Sequence, residues 1–149
     1  MKLLITGATG LIGQEIVELC NQQGIAVNYL TTQREKIILN ENFQGFYWNP
    51  EINEIDLNAF DGVTAIINLA GSSISKRWTA DYKNEILYSR INSLKTLNNA
   101  LGKIDTKKIT SLTDEILITK IGRFFMRPLV HGCIARCVLL LVFSIPGVS

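Results

Sequence analysis

The chain is poor in the residues that announce most kinds of chemistry. It has one histidine, three cysteines and three prolines in 149 residues. Cys20, Cys133 and Cys137 are odd in number and widely separated, so no disulfide framework is indicated and a reducing, cytoplasmic setting is expected. A domain of this size buries a core without such staples. His131, Cys133 and Cys137 lie near one another, but no fourth ligand stands at matching spacing, so no metal site is expected. The net charge is +2 and no basic stripe is interleaved with aromatics, which gives no electrostatic case for nucleic acid as a partner. Lys2 leads straight into a strand-like run too short in apolar length for a signal peptide. Long hydrophobic runs are missing as well. Val138 to Phe143 is apolar, but a spanning helix needs ~20 residues. Extending it back to Pro128 takes in His131 and Arg136, and a central Arg costs ~2.5–3.5 kcal/mol, so a membrane segment is not the expectation.

What is present is concentrated at the start. The apolar run Leu3-Leu4-Ile5 feeds into Thr6-Gly7-Ala8-Thr9-Gly10-Leu11-Ile12-Gly13, a strand entering a glycine-rich turn that opens a helix. In that context Gly7 allows a tight turn, Gly10 clears space for a pyrophosphate, and Gly13 lets the helix pack on the strand. The first amides of the helix then face the phosphates. No Lys-Ser or Lys-Thr follows the glycines, which argues against a Walker loop. The competing reading is a plain strand-to-helix turn.

Further along, Ile12, Ile16, Leu19 and Cys20 recur at three- and four-residue spacing, predicting a helix that ends near Gln23 and Gly24. Ile25 to Leu30 reads as the second parallel strand. It exits into Thr31-Thr32-Gln33-Arg34-Glu35, where an enzyme using NAD places an acid for the ribose 2′-hydroxyl and one using NADP favours a nearby Arg. Thr32 and Arg34 lean towards NADP, with NAD as the alternative; equally, Arg34 is the solvated start of a short helix. Phe43 to Trp48 reads as an aromatic-rich strand, broken by Asn49-Pro50 before a hairpin-like return over Ile52 to Leu57. Val63 to Gly71 fits a strand buried on both faces, with Leu69, Ala70 and Gly71 at its carboxyl end, where open α/β sheets bind ligands. A long helix is predicted from Thr79, as N-cap, to about Leu101, stopped by Gly102. Ile86, Leu87, Ile91, Leu94, Leu97, Asn98 and Leu101 are expected on or near its inner face, with Lys83, Glu85, Arg90 and Lys95 in solvent.

With these stretches in view, the first hundred residues resemble the epimerase-like branch of the atypical or extended short-chain dehydrogenase/reductases. The resemblance rests on the glycine loop, on Tyr47-Trp48-Asn49-Pro50, on Ile67-Asn68-Leu69-Ala70-Gly71, and on Arg77-Trp78-Thr79 followed by Lys83 and Ser89-Arg90. It implies a Rossmann-like doubly wound parallel sheet and NADP contacts from Gly7, Thr9, Gly10, Leu11, Ile12 and Gly13, from Leu69 and Ala70, and from Glu85 and Arg90. The family usually has Thr-Arg at the end of the second strand, whereas Thr31-Thr32 stands there without a gap and Arg34 follows two residues late.

Other features depart from the family. Short-chain enzymes commonly use a Tyr with a Lys four residues on, yet Tyr29, Tyr47, Tyr82 and Tyr88 are followed at that distance by Gln33, Glu51, Ile86 and Asn92. Ser72, Ser73 and Ser75 follow the fourth main strand, but as ordinary loop residues they are assigned no catalytic role. Lys108 to Leu112, or Glu115 to Thr119, is the expected fifth strand. The resemblance ends near Gly102, and there the composition changes too. Up to Leu101 there are eight Lys/Arg and ten Asp/Glu; beyond it there are seven and three, with no acid after Glu115. A domain over 1–120 and a divergent basic, apolar tail over 121–149 are therefore expected, the latter a surface for self-association. The resulting expectation is a truncated or frameshifted product that binds nucleotide with little or no turnover. An active NADP-dependent oxidoreductase or epimerase, and a non-functional or membrane-tethered fragment, are the alternatives.

Overall fold

In a computed structural model the described residues are 1–71 and 79–114. Ser72, Ser73, Ser75, Arg77, Trp78, the expected strand over Glu115 to Thr119 and the whole 121–149 tail lie outside them. The elements in chain order are β1 (Lys2–Thr6), α1 (Leu11–Gln22), β2 (Ala26–Thr31), a 3-10 turn (Arg34–Lys36), β3 (Leu39–Asn40), β4 (Phe43–Asn49), β5 (Glu54–Ile55), a second 3-10 turn (Leu57–Phe60), β6 (Ala65–Asn68), α2 (Ala80–Leu101) and β7 (Ser111–Asp114).

The apolar runs become the central strands. β4, β2, β1, β6 and β7 lie side by side in that order, all parallel, with β3 antiparallel on β4 at the edge and β5 returning antiparallel on the end of β4. The order turns back at β1. β2 and β4 extend to one side of it, β6 and β7 to the other, so the glycine turn leaves β1 at the topological switch point.

Alternation along the strands builds two cores. Leu3, Ile5, Val27, Tyr29, Ala65 and Ile67 point to the face covered by α1, where they pack with Ala8, Ile16 and Cys20. Leu4, Leu30 and Ile66 point to the opposite face and pack with Trp48, Phe60, Val63 and, from α2, Leu97 and Ala100. A helix on each face of a mostly parallel sheet is the doubly wound α/β arrangement expected from the sequence.

The structure keeps Leu97 and Leu101 on the expected inner face of α2 and corrects the rest of it. Thr79 caps the helix, its Oγ1 accepting from the Tyr82 amide at 3.2 Å. The buried residues, however, are Tyr82, Ser93, Thr96, Leu97 and Ala100, while Leu87 and Ile91 are 54% and 44% exposed and Asn98 faces solvent. The reason is that Ser93 and Thr96, though polar, find hydrogen-bond partners on that face. Ser93 Oγ accepts from Asn68 Nδ2 at 3.3 Å and donates to the Arg90 carbonyl at 2.9 Å, and Thr96 Oγ1 reaches the Pro50 carbonyl at 3.5 Å. The short β3 has no counterpart among the strands expected from the sequence. β7 begins within the first of the two expected fifth-strand segments and runs past its end.

Candidate nucleotide-binding cleft

A cleft of about 820 Å³ opens at the carboxyl ends of β1, β2 and β6. Gly7, Thr9 and Gly10 line it from the glycine turn, Thr31, Thr32, Gln33 and Lys36 from the β2 exit, and Asn49, Pro50 and Glu51 from the β4–β5 turn. Leu69, Ala70 and Gly71 close it from the segment that follows β6, and Glu85, Tyr88, Ser89 and Asn92 from α2.

The turn at its floor is fixed by backbone geometry. Gly7 has φ +71°, a left-handed conformation that favours glycine, and a Cβ there would also lie 2.9 Å from the Leu69 carbonyl oxygen. A Cβ on Gly13 would lie 2.2 Å from the Gly7 carbonyl oxygen and 2.6 Å from Ala8 Cα, so α1 packs this closely on the turn only with glycine. Gly10 differs. A Cβ there would meet only Gly7 O, at 3.3 Å, a tight contact rather than the clash met at Gly7 and Gly13, and Gly10 presents bare backbone to the cleft. Gly10 is also the N-cap of α1, with no side-chain cap and no acid in the first turn. The positive end of the helix is therefore left unanswered by side chains at that end, which suits an anionic ligand.

The opposite wall is held by a buried hydroxyl. Thr6 Oγ1 donates to Asn68 Oδ1 at 2.6 Å and accepts from the amides of Leu69 and Ala70, each at 3.0 Å. Asn68 continues to Ser93 and thence to the Arg90 carbonyl. One chain of hydrogen bonds thus ties β1, β6 and α2 at the mouth of the cleft, with Thr6, Asn68 and Ser93 each at most 1% exposed.

Of the residues singled out in the sequence, the cleft brings together Gly7, Thr9, Gly10, Thr32, Leu69, Ala70, Gly71 and Glu85. Leu11, Ile12 and Gly13 follow Gly10 in the first turn of α1 and are not among the residues lining the cleft, Leu11 being strongly exposed. Arg90 packs on Gly71, where a Cβ would be 3.3 Å from its Cγ. Arg34 lies beside the cleft with its guanidinium carbon 3.8 Å from the centroid of the Tyr47 ring. The cation that lines the cleft near the β2 exit is Lys36, which the sequence does not single out because counting from the strand end stops at Arg34. Among the described residues no group of His, Cys, Asp and Glu is arranged to hold a metal ion, and no helix is long and apolar enough to cross a membrane. Cys20 is buried on the sheet-facing side of α1, and desolvation pushes its thiol up to about 11, away from reactive chemistry.

A parallel sheet whose order reverses beside a glycine turn, with a cleft at the strand ends, defines a Rossmann-like fold. Comparison with known proteins narrows this. The model of the NAD dependent epimerase/dehydratase family matches residues 3–116, and the chain belongs to that family. An epimerase family protein of Staphylococcus saprophyticus is 38% identical over 98 residues, covering 63% of this chain and 30% of that protein. The human epimerase family protein SDR39U1, solved with NADPH, superposes with a TM-score of 0.54 at 21% identity, covering 76% of this chain and 36% of the human one. Yeast methylglyoxal/isovaleraldehyde reductase Gre2, complexed with NADPH, gives 0.58 at 20% identity over the same shares. The chain spans about a third of the length of the curated relatives it matches.

Proposed function

We propose that this chain binds a nicotinamide dinucleotide in the cleft, with NADP(H) favoured over NAD(H), and that it has little or no turnover of its own. The observation that carries the binding is the bare Gly10 surface, open to the cleft at the uncapped start of α1. Gly7, Thr9 and Gly10, with the first-turn amides of Leu11, Ile12 and Gly13, would hold the diphosphate. Thr32 and Lys36, with Arg34 alongside, would face the adenosine ribose, where the lining residues from the β2 exit include no acid. Leu69, Ala70 and Gly71 would border the nicotinamide half, with Glu85 and Arg90 on its α2 side. When bound, the dinucleotide supplies hydride chemistry; this chain's residues bind and orient it.

Low turnover is supported by the absence of a Lys four residues after any tyrosine. Family membership favours the second reading, an active NADP-dependent oxidoreductase or epimerase. Thermal denaturation of the full chain with NADPH and with NADH tests the binding. A one-site ligand at about 100 times its Kd adds roughly 2.7 kcal/mol of stability. The expected result is a clear rise in Tm with NADPH, a smaller one with NADH, and none with either for Gly10→Val. Binding that survives Gly10→Val, or no shift for the unmodified chain, would overturn the proposal. Steady consumption of NADPH with a panel of aldehydes and ketones would instead establish the second reading.

A further inference from the structure

The loop that brings Lys36 to the cleft is held from beneath by one buried phenol. β4 lies between β2 and β3 in the sheet, and Tyr29 on β2 is in register with Gly45 on β4. A Cβ on Gly45 would fall 2.6 Å from the Tyr29 phenol carbon and hydroxyl, so the glycine is what lets the ring lie across β4. The ring is 1% exposed and stacks on Phe43 with centroids 4.4 Å apart. Beyond β4 its hydroxyl donates to the Lys36 carbonyl at 2.6 Å and accepts from the Ile38 amide at 2.9 Å. The loop start is fixed separately, by the Gln33 amide on Thr31 Oγ1 at 3.2 Å, and its end by the Gly45 amide on the Ile38 carbonyl at 2.8 Å. Lys36 itself is exposed, so nothing in its own packing explains why a core tyrosine commits both hydrogen bonds to the backbone on either side of Ile37.

We propose that Tyr29 is a positioning residue for phosphate recognition: by clamping the 34–38 loop across Gly45 it holds Lys36 where the ammonium meets a phosphate on the adenosine 2′-oxygen. The inference rests on the NADP(H) reading above and adds which residue sets the preference. An ammonium on an unclamped surface loop samples many positions and gives a weak contact, as exposed ion pairs do. The same ammonium on a fixed backbone loses less freedom when it binds. Arg34, held over Tyr47, then has the lesser part.

The test uses the full chain and two probes, adenosine 2′,5′-bisphosphate and adenosine 5′-monophosphate, with Kd measured by calorimetry. The unmodified chain prefers the bisphosphate. Lys36→Gln, an exposed change that leaves the core intact, weakens the bisphosphate about tenfold and leaves the monophosphate within about twofold. Tyr29→Phe keeps the stacked ring, removes only the hydroxyl, and weakens the bisphosphate about three- to fivefold with the monophosphate unchanged. In the Lys36→Gln background Tyr29→Phe has no further effect on the ratio, because it acts through Lys36. Equal weakening of both nucleotides by Tyr29→Phe, an effect that persists without Lys36, or loss of the preference on Arg34→Ala but not on Lys36→Gln would each overturn the inference while leaving the NADP(H) reading intact. Failure of the unmodified chain to distinguish the probes would overturn both.

Discussion

The two long helices cover opposite faces of one sheet and do so by different means. α1 buries Gly13, Ile16 and Cys20 against the apolar side chains of β1, β2 and β6. α2 buries Leu97 and Ala100, but beside them Ser93 and Thr96, and it leaves Leu87 and Ile91 about half exposed. The first helix meets the sheet through apolar contact, so its face is written as a period of hydrophobic residues. The second also lines the cleft and holds the β4–β5 turn, through Thr96 on the Pro50 carbonyl and Asn99 on Asn53. Its face is partly written in hydroxyls and amides, which hydropathy does not count.

The largest expected effect breaks the α1 side. Gly13→Ala puts a methyl 2.2 Å from a backbone oxygen that cannot turn away, so α1 must separate from the glycine turn. The loss of stability is expected to be about 3 kcal/mol or more, measured as the midpoint of urea unfolding. A Gly13→Ala chain as stable as the original would mean that the close packing of α1 on the turn is not required.

A pair of substitutions then sharpens the contrast. Ile16→Ala on α1 removes a fully buried side chain and should cost about 2–4 kcal/mol. Ser93→Ala on α2 removes one donor and one acceptor and should cost only about 1–2 kcal/mol. Nucleotide affinity should respond in the reverse order, because Ser93 lines the cleft and ties Asn68 to α2, whereas Ile16 does not line it. Equal stability costs together with equal binding losses would erase the distinction between a packing helix and a cleft helix.

The same contrast explains what can be read from the chain. β1, α1, β2, β4 and β6 are legible because apolar runs, aromatic runs and three- to four-residue spacing record burial directly. The span of α2 is legible from Thr79 and Gly102, local signals that do not depend on which face is inside. Its inner face is legible only in part: Leu97 is buried and Leu101 packs beside it, but Ser93 and Thr96 are buried by virtue of partners at Asn68 and Pro50 that are remote in sequence. Lys36 stays hidden for a related reason. Its place in the cleft depends on a 3-10 turn and on Tyr29 reaching across Gly45, a relation set by sheet order rather than by spacing from the strand end.

Cys20 reports how dry the α1 side is. Burial raises its thiol from 9.0 to about 11, with desolvation the cause, so the folded chain holds this proton more tightly than the unfolded chain does. The associated stability is complete below about 9, where both states keep the proton, and is lost as pH rises towards about 11, as the unfolded chain alone ionises. A rise of this size is worth at most about 2–3 kcal/mol, and less to the extent that solvent screens the thiolate. Lysines and tyrosines titrate in the same window, so the measurement is the difference between the unmodified chain and Cys20→Ala, followed by urea unfolding from pH 8 to 11. Cys20→Ala should start less stable, by the cavity it leaves, and the gap should narrow as pH rises. In a Cys133→Ser, Cys137→Ser background the Cys20 thiol should also resist aromatic disulfide reagents at pH 8 until the chain unfolds. A gap that stays constant with pH, or rapid reaction in the folded state, would mean that water reaches the α1 face, and the two helices would then differ less than their packing indicates.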